Sequence, residues 1–91
     1  TQRTEAETEW KTVKVTKDQK ELIRIFEGDK FYYKSPHEFK IGNKGNLYSH
    51  DASSEPGEVR GFDFYNVEEG GEKIYIKSEE APFKFEFKIE Q

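Results

Sequence analysis

Apolar and charged residues alternate without interruption through Phe83-Lys84-Phe85-Glu86-Phe87-Lys88-Ile89. A period of two sends successive side chains to opposite faces of a pleated chain, so this segment predicts a strand with one buried and one wet face. The wet face carries Lys84, Glu86 and Lys88 in alternating sign, which supports a neighbouring strand and discourages a foreign edge. Lys73-Ile74-Tyr75-Ile76-Lys77 repeats the pattern after Gly70-Gly71, and Ser78-Glu79-Glu80-Ala81-Pro82 reads as the loop of a hairpin joining the two. Upstream, Val59 to Val67 places Phe62 and Phe64 on one face, and Gly61 marks a bulge or a close backbone approach.

Two shorter strands, Glu38 to Ile41 and Asn46 to Ser49, are predicted on either side of Gly42-Asn43-Lys44-Gly45. Its glycines and asparagine supply the positive φ angles of a tight hairpin. Trp10 to Val15 alternates as well, and Phe31 to Lys34, following Gly28-Asp29, also reads as a strand. Between them, Asp18 to Phe26 reads two ways: a helix with Thr16 and Gln19 as a capping box and Gly28 as its stop, or a strand. The β-branched and aromatic run Ile23-Arg24-Ile25-Phe26 favours the strand, and Gly28-Asp29 then suits a hairpin into Phe31. The expected fold is all-β: a small antiparallel up-and-down barrel or sandwich of 7–8 short strands, since a single sheet would leave an apolar face wet. Asp51 to Glu58, rich in small polar residues with Pro and Gly, is the longest expected loop.

Composition sharpens this picture. Eight Phe, five Tyr and one Trp dominate a hydrophobic fraction of 32%, and aromatics suit half-buried sheet surfaces better than helices. Ninety-one residues make one domain, expected over residues 10–91, behind a flexible polar lead-in at 1–9. The absence of Cys excludes a disulfide framework and a zinc-thiolate site, and no apolar run is long enough for a membrane helix. A formal charge of −4, with Lys and Glu interleaved almost everywhere, argues against a nucleic-acid backbone as partner.

Candidate chemistry is sparse. His37 and His50 are the side chains that titrate near neutrality, and each has a Ser and an acid beside it: Ser35 and Glu38, then Ser49 and Asp51. Adjacency along a strand points neighbours to opposite faces, so a His-dependent hydrolase is a minor alternative and no catalytic residue is assigned. Neither a metal-ligand spacing nor a calcium or phosphate loop is present, and no cofactor or metal is expected. An OB-type single-strand binder is a second alternative, with Phe31 to Lys34 and Tyr75 between Lys73 and Lys77 as its platform. Recognition is the favoured class, because tyrosine joins an apolar ring to a polar tip. The binding candidates are Tyr32, Tyr48, Tyr65, Tyr75, His50 and Asp51, with the 51–58 loop beside them. An internal cavity, if open, would be lined by Tyr33, Phe39, Phe64 and Ile76.

Trp10 opening the first strand, the Ile23-Arg24-Ile25-Phe26 and Gly28-Asp29-Lys30-Phe31-Tyr32-Tyr33 segments, and the terminal Phe83 to Ile89 strand together resemble the small lipocalin-like, or calycin-like, domains of bacterial secreted proteins and lipoproteins. Lipocalins carry Gly-x-Trp at the first strand, whereas Trp10 here follows Thr8-Glu9. The resemblance implies a non-enzymatic, extracytoplasmic binding domain, monomeric, held at a membrane only by an upstream anchor, with a protein, a glycan or a small molecule as its ligand.

Overall fold

The computed structural model describes residues 9–90, and the lead-in expected over residues 1–9 lies outside them except for Glu9. Eight strands follow in order among these residues: β1 (Lys11–Val15), β2 (Lys20–Ile25), β3 (Lys30–Lys34), β4 (Phe39–Asn43), β5 (Asn46–His50), β6 (Arg60–Asp63), β7 (Glu72–Lys77) and β8 (Phe83–Glu90). No helix among the described residues is long and apolar enough to cross a membrane. The strand reading of Asp18 to Phe26 holds, with a bulge between Glu21 and Ile23 that turns Ile23 and Ile25 to the same side as Ile74 and Glu72.

The strands form two antiparallel sheets of four, in the orders β1-β8-β3-β6 and β2-β7-β4-β5. Only β4 and β5 are neighbours in both sequence and sheet. The pairs β4·β5, β3·β6, β2·β7 and β1·β8 describe one long antiparallel ribbon with its tip at Lys44-Gly45. The ribbon winds so that successive pairs fall in alternate sheets, which are completed by β3·β8 and β4·β7. This is a double-sheet jelly roll, the sandwich form of the expected all-β fold and not an up-and-down barrel.

Two expected hairpins are therefore corrected. β7 and β8 do not pair, and neither do β2 and β3; each pair is split between the sheets. The reason lies in their fully apolar faces. β8 buries Phe85, Phe87 and Ile89 at the centre of one sheet, and β7 buries Ile74 and Ile76 at the centre of the other, so the two faces cover each other across the sandwich. Ser78 fixes the crossing between them: its N–H donates to the Thr16 carbonyl, and its hydroxyl donates to the Glu38 carbonyl at 2.6 Å. At Gly28-Asp29, the Asp29 carboxylate accepts the Phe26 N–H at 2.8 Å, and the Asp29 carbonyl accepts that of Phe64 at 3.0 Å.

Aromatic rings fill the space between the sheets. Phe31 is fully buried, parallel to Phe87 within 5° at 5.6 Å and stacked on Phe62 at 5.2 Å. Tyr33, Phe39 and Ile76 are sealed in the same core. The interior between them is filled; Phe39 also borders a small groove of about 80 Å³, and Phe64, named with them for an open interior, lines the cleft described below. The segment expected as a strand from Val59 to Val67 pairs only over Arg60–Asp63; beyond it the chain leaves the sheet, although Phe64 and Val67 still pack on the core.

Candidate binding cleft

The edge strands β5 and β6 belong to opposite sheets and meet through one ring pair. His50 stacks on Phe62 with centroids 4.4 Å apart and planes 10° from parallel, and its ring also lies 5.4 Å from that of Phe39. Toward the β4–β5 tip the sheets diverge into an open cleft of about 500 Å³, within the range that small ligands occupy. Buried Ile25, Ile41 and Ile74 form its floor, and Phe62, Phe64 and Val67 form the facing wall. Asn43, Asn46, Tyr48, Asp63, Tyr65 and Glu72 supply polar groups around it.

Strand parity builds one side of this cleft. Partners across an antiparallel pair share a face, so Asn46, Tyr48 and His50 turn the same way as Asn43, Ile41 and Phe39. Because β5 is an edge strand over a widening gap, Tyr48 remains 63% exposed although it points with the core residues. The opposite side is held by carboxylates. Glu27 accepts the N–H groups of Asn66 and Val67 at 3.2 and 2.7 Å, with Asn66 in the left-handed region at φ 57°. Glu72 accepts the Glu68 N–H at 3.0 Å, and the Arg24 guanidinium donates to the Gly70 and Gly71 carbonyls. An irregular segment thus has its backbone satisfied by side chains rather than by a sheet.

The electrostatics of the cleft follow from its neighbours. Burial between aromatic rings lowers the pKa of His50 below the ordinary value, partly opposed by the negative charge of Asp51. Tyr65, 71% exposed, donates its hydroxyl to Asp63 at 2.8 Å, and that hydrogen bond raises its pKa. Asp63 and Glu72 are the carboxylates of the lining, and no Lys or Arg belongs to it.

Of the residues singled out from sequence, Tyr48, Tyr65 and His50 converge on this cleft, while Tyr32, Tyr75 and Asp51 do not. Tyr32 lies on the outer face of one sheet across from Gly61, with Lys88 over its ring at 5.5 Å. Tyr75 lies on the outer face of the other sheet, so the two halves of the expected OB-type platform face opposite directions. Phe31 and Tyr33 of that platform are buried. Asp51 follows β5 and offers its carbonyl to the Tyr33 hydroxyl at 2.8 Å, a group whose pKa burial raises.

The Ser35–His37 pair makes backbone contacts instead of a nucleophile–base contact. The Ser35 hydroxyl donates to the His37 carbonyl at 2.6 Å, while the His37 ring pairs with Glu80 at 2.7 Å and rests on Phe83. Among the described residues, no group of three or more His, Cys, Asp or Glu side chains is placed to hold a metal ion. The 53–57 part of the long loop overlooks a second groove of about 550 Å³, lined by Lys34, Lys84, Glu55 and Glu86 with prolines and serines. No aliphatic or aromatic core side chain belongs to that groove. Sequence reasoning missed Asn43, Asn46, Asp63 and Glu72. The parity shared by Asn46, Tyr48 and His50 was the available signal for β5, whereas Glu72 belongs to a strand whose partner in the sheet is distant in sequence.

No family model and no curated protein matches the chain. Among solved structures it is similar to the solution NMR structure of a de novo designed double-stranded β-helix, at 18% identity and a TM-score of 0.53, over 90% of this chain and 96% of that one. The likeness is one of fold, and it agrees with the winding of the ribbon into two four-stranded sheets.

Proposed function

We propose that the domain is a non-enzymatic binding module whose ligand is a small amphipathic molecule seated between β5 and the 64–67 segment. The observation that carries this reading is the cleft itself: buried Ile25, Ile41 and Ile74 lie at the bottom of an open space of about 500 Å³ with amide, hydroxyl and carboxylate groups around the mouth. An apolar floor with a few convergent polar groups is the general form of a small-molecule site. Displacing water from the partly exposed Phe62, Phe64 and Val67 and from the exposed tyrosine rings above the isoleucines provides the driving force, and the polar rim sets orientation. The groove beneath the 53–57 loop lacks this combination.

A neutral environment-sensitive dye tests it. N-phenyl-naphthylamine is expected to gain fluorescence saturably on adding the protein, and in amide NMR spectra to shift residues 46–50 and 62–67. Shifts confined to residues 53–57 and 84–86, or no saturable binding, would overturn the reading.

A further inference from the structure

The cleft lining is rich in π faces and one-sided in charge. Two tyrosines, Tyr48 and Tyr65, stand 63% and 71% exposed at its sides, and Phe62, Phe64 and the His50 ring continue the aromatic surface inward. Phe62 and Phe64 meet edge-on at 5.3 Å, and Phe62 stacks on His50, so the rings present faces in more than one direction. The formal charges of the lining, with His50 neutral, are the carboxylates of Asp63 and Glu72. Lys30, opposite Asp63 in the β3–β6 register, is not part of it.

From this juxtaposition of exposed tyrosines, half-buried rings and two carboxylates, we infer that the cleft selects an organic cation: a free small molecule with a substituted ammonium head and an apolar body. The inference rests on the reading of the cleft as a binding site and names its ligand class. The negative face of an aromatic ring attracts a cation, and quaternary ammonium groups, too bulky to keep a tight water shell, gain most from being surrounded by rings. Asp63 and Glu72 add attraction without needing a hydrogen-bond donor on the ligand, and they repel carboxylates and phosphates. The isoleucine floor takes the apolar body. A volume of about 500 Å³ exceeds what an ammonium head alone would fill, which favours a free amine over a side chain on a peptide.

The test is a titration of the full chain, followed by amide NMR, with four probes: benzyltrimethylammonium, the neutral near-isostere tert-butyl phenyl carbinol, the anion hydrocinnamate, and a trimethyllysine peptide. The cation is expected to bind about tenfold more tightly than the carbinol, a ratio corresponding to roughly 1.4 kcal/mol of cation–π and charge attraction. Tyr48→Leu and Tyr65→Leu keep apolar area and remove π faces. Both positions are exposed, so both variants are expected to fold, and the cation preference should shrink at least threefold in each. Equal affinity for cation and carbinol at the cleft, or preference for hydrocinnamate there, overturns the inference and leaves the cleft as a binding site. Tighter binding of the peptide than of benzyltrimethylammonium overturns the free-molecule source. Failure of all four probes to move residues 46–50 and 62–67 overturns both the inference and the reading beneath it.

Discussion

His50 and Phe62 join one edge of each sheet: one ring from β5 and one from β6, 4.4 Å apart and nearly parallel. Below them the core is closed by Phe39 and Tyr33; above them lies the cleft. A contact between edges of different sheets does the work that a hydrogen-bonded pair does elsewhere in the ribbon. Truncating it with His50→Ala is expected to cost about 1 kcal/mol, the scale of an aromatic stacking pair. It should also loosen the amides of β6 in hydrogen exchange.

The same contact makes stability depend on pH. Because burial holds the folded-state pKa of His50 below 6.5, the unfolded chain takes up a proton first as pH falls. The stability contributed by neutral His50 is complete above pH 6.5 and is lost as pH drops through the lower, folded-state pKa. His50→Phe keeps a ring and removes the proton site. Urea midpoints of the parent should therefore fall more steeply than those of His50→Phe between about pH 7.5 and pH 5, around the ordinary histidine range. Parallel curves would show that burial of this ring carries no protonation cost.

Two glycines at the β4–β5 tip separate two physical requirements. Gly45 has φ 84° and open space around a would-be Cβ, whereas a Cβ on Gly42 would collide with the Asn46 carbonyl oxygen and lie 3.1 Å from Leu47 Cα. Gly45→Ala is expected to cost about 1 kcal/mol from left-handed backbone strain, and Gly45→Asn less, because Asn tolerates that region. Gly42→Ala should cost about 1–3 kcal/mol through overpacking, and Asn should bring no relief there. Chemical denaturation of the four variants distinguishes the cases.

These glycines also show how far the sequence is legible. The tight turn over residues 42–45 was readable because turn chemistry is local, although Gly45 alone of Gly42, Asn43 and Gly45 needs a positive φ. The strand faces of β8 and β7 were readable from alternation. Their placement was not: alternation tells which side of a strand is apolar, but not whether the next strand pairs beside it or covers it from the other sheet. Phe83 to Ile89 and Lys73 to Lys77 satisfy a hairpin and a jelly roll equally well as patterns, and only the three-dimensional burial of both faces decides. The cleft inherited this gap. Tyr48, Tyr65 and His50 stood out as residue types; Asn43 lies across the local β4–β5 hairpin and Asp63 two residues from Tyr65, but Glu72 reaches them only through pairings of β7 that are distant in sequence.

Phe31 tests where the stability of so small a domain resides. It is fully buried and packs on Phe62, Phe64, Phe85 and Phe87. Phe31→Ala is expected to cost about 3–5 kcal/mol by leaving a cavity, a large share of the roughly 5–14 kcal/mol that a chain of this length commands. Near-UV circular dichroism should show loss of fixed aromatic packing near room temperature. Tyr65→Ala removes a similar area from an exposed position and should change stability by less than about 0.5 kcal/mol.

Glu27 controls the cleft from outside it. Its carboxylate holds the Asn66 and Val67 amides, and Val67 and its neighbours Phe64 and Tyr65 form one wall of the cleft. Asn66 and Val67 donate to different oxygens of the carboxylate, so Glu27→Gln keeps the shape but only one acceptor: one charge-assisted bond becomes a neutral one of about half the strength, and the other is lost against the amide NH2. The Asn66 and Val67 amides are therefore expected to exchange with solvent about tenfold faster, while global stability moves by no more than about 1 kcal/mol. A wall that opens more often holds a ligand less well, so the affinity for N-phenyl-naphthylamine should fall with the protection of these two amides. If protection falls and dye affinity does not, the 64–67 segment is not the wall that a ligand uses, and the binding surface would have to be sought on the β5 side alone.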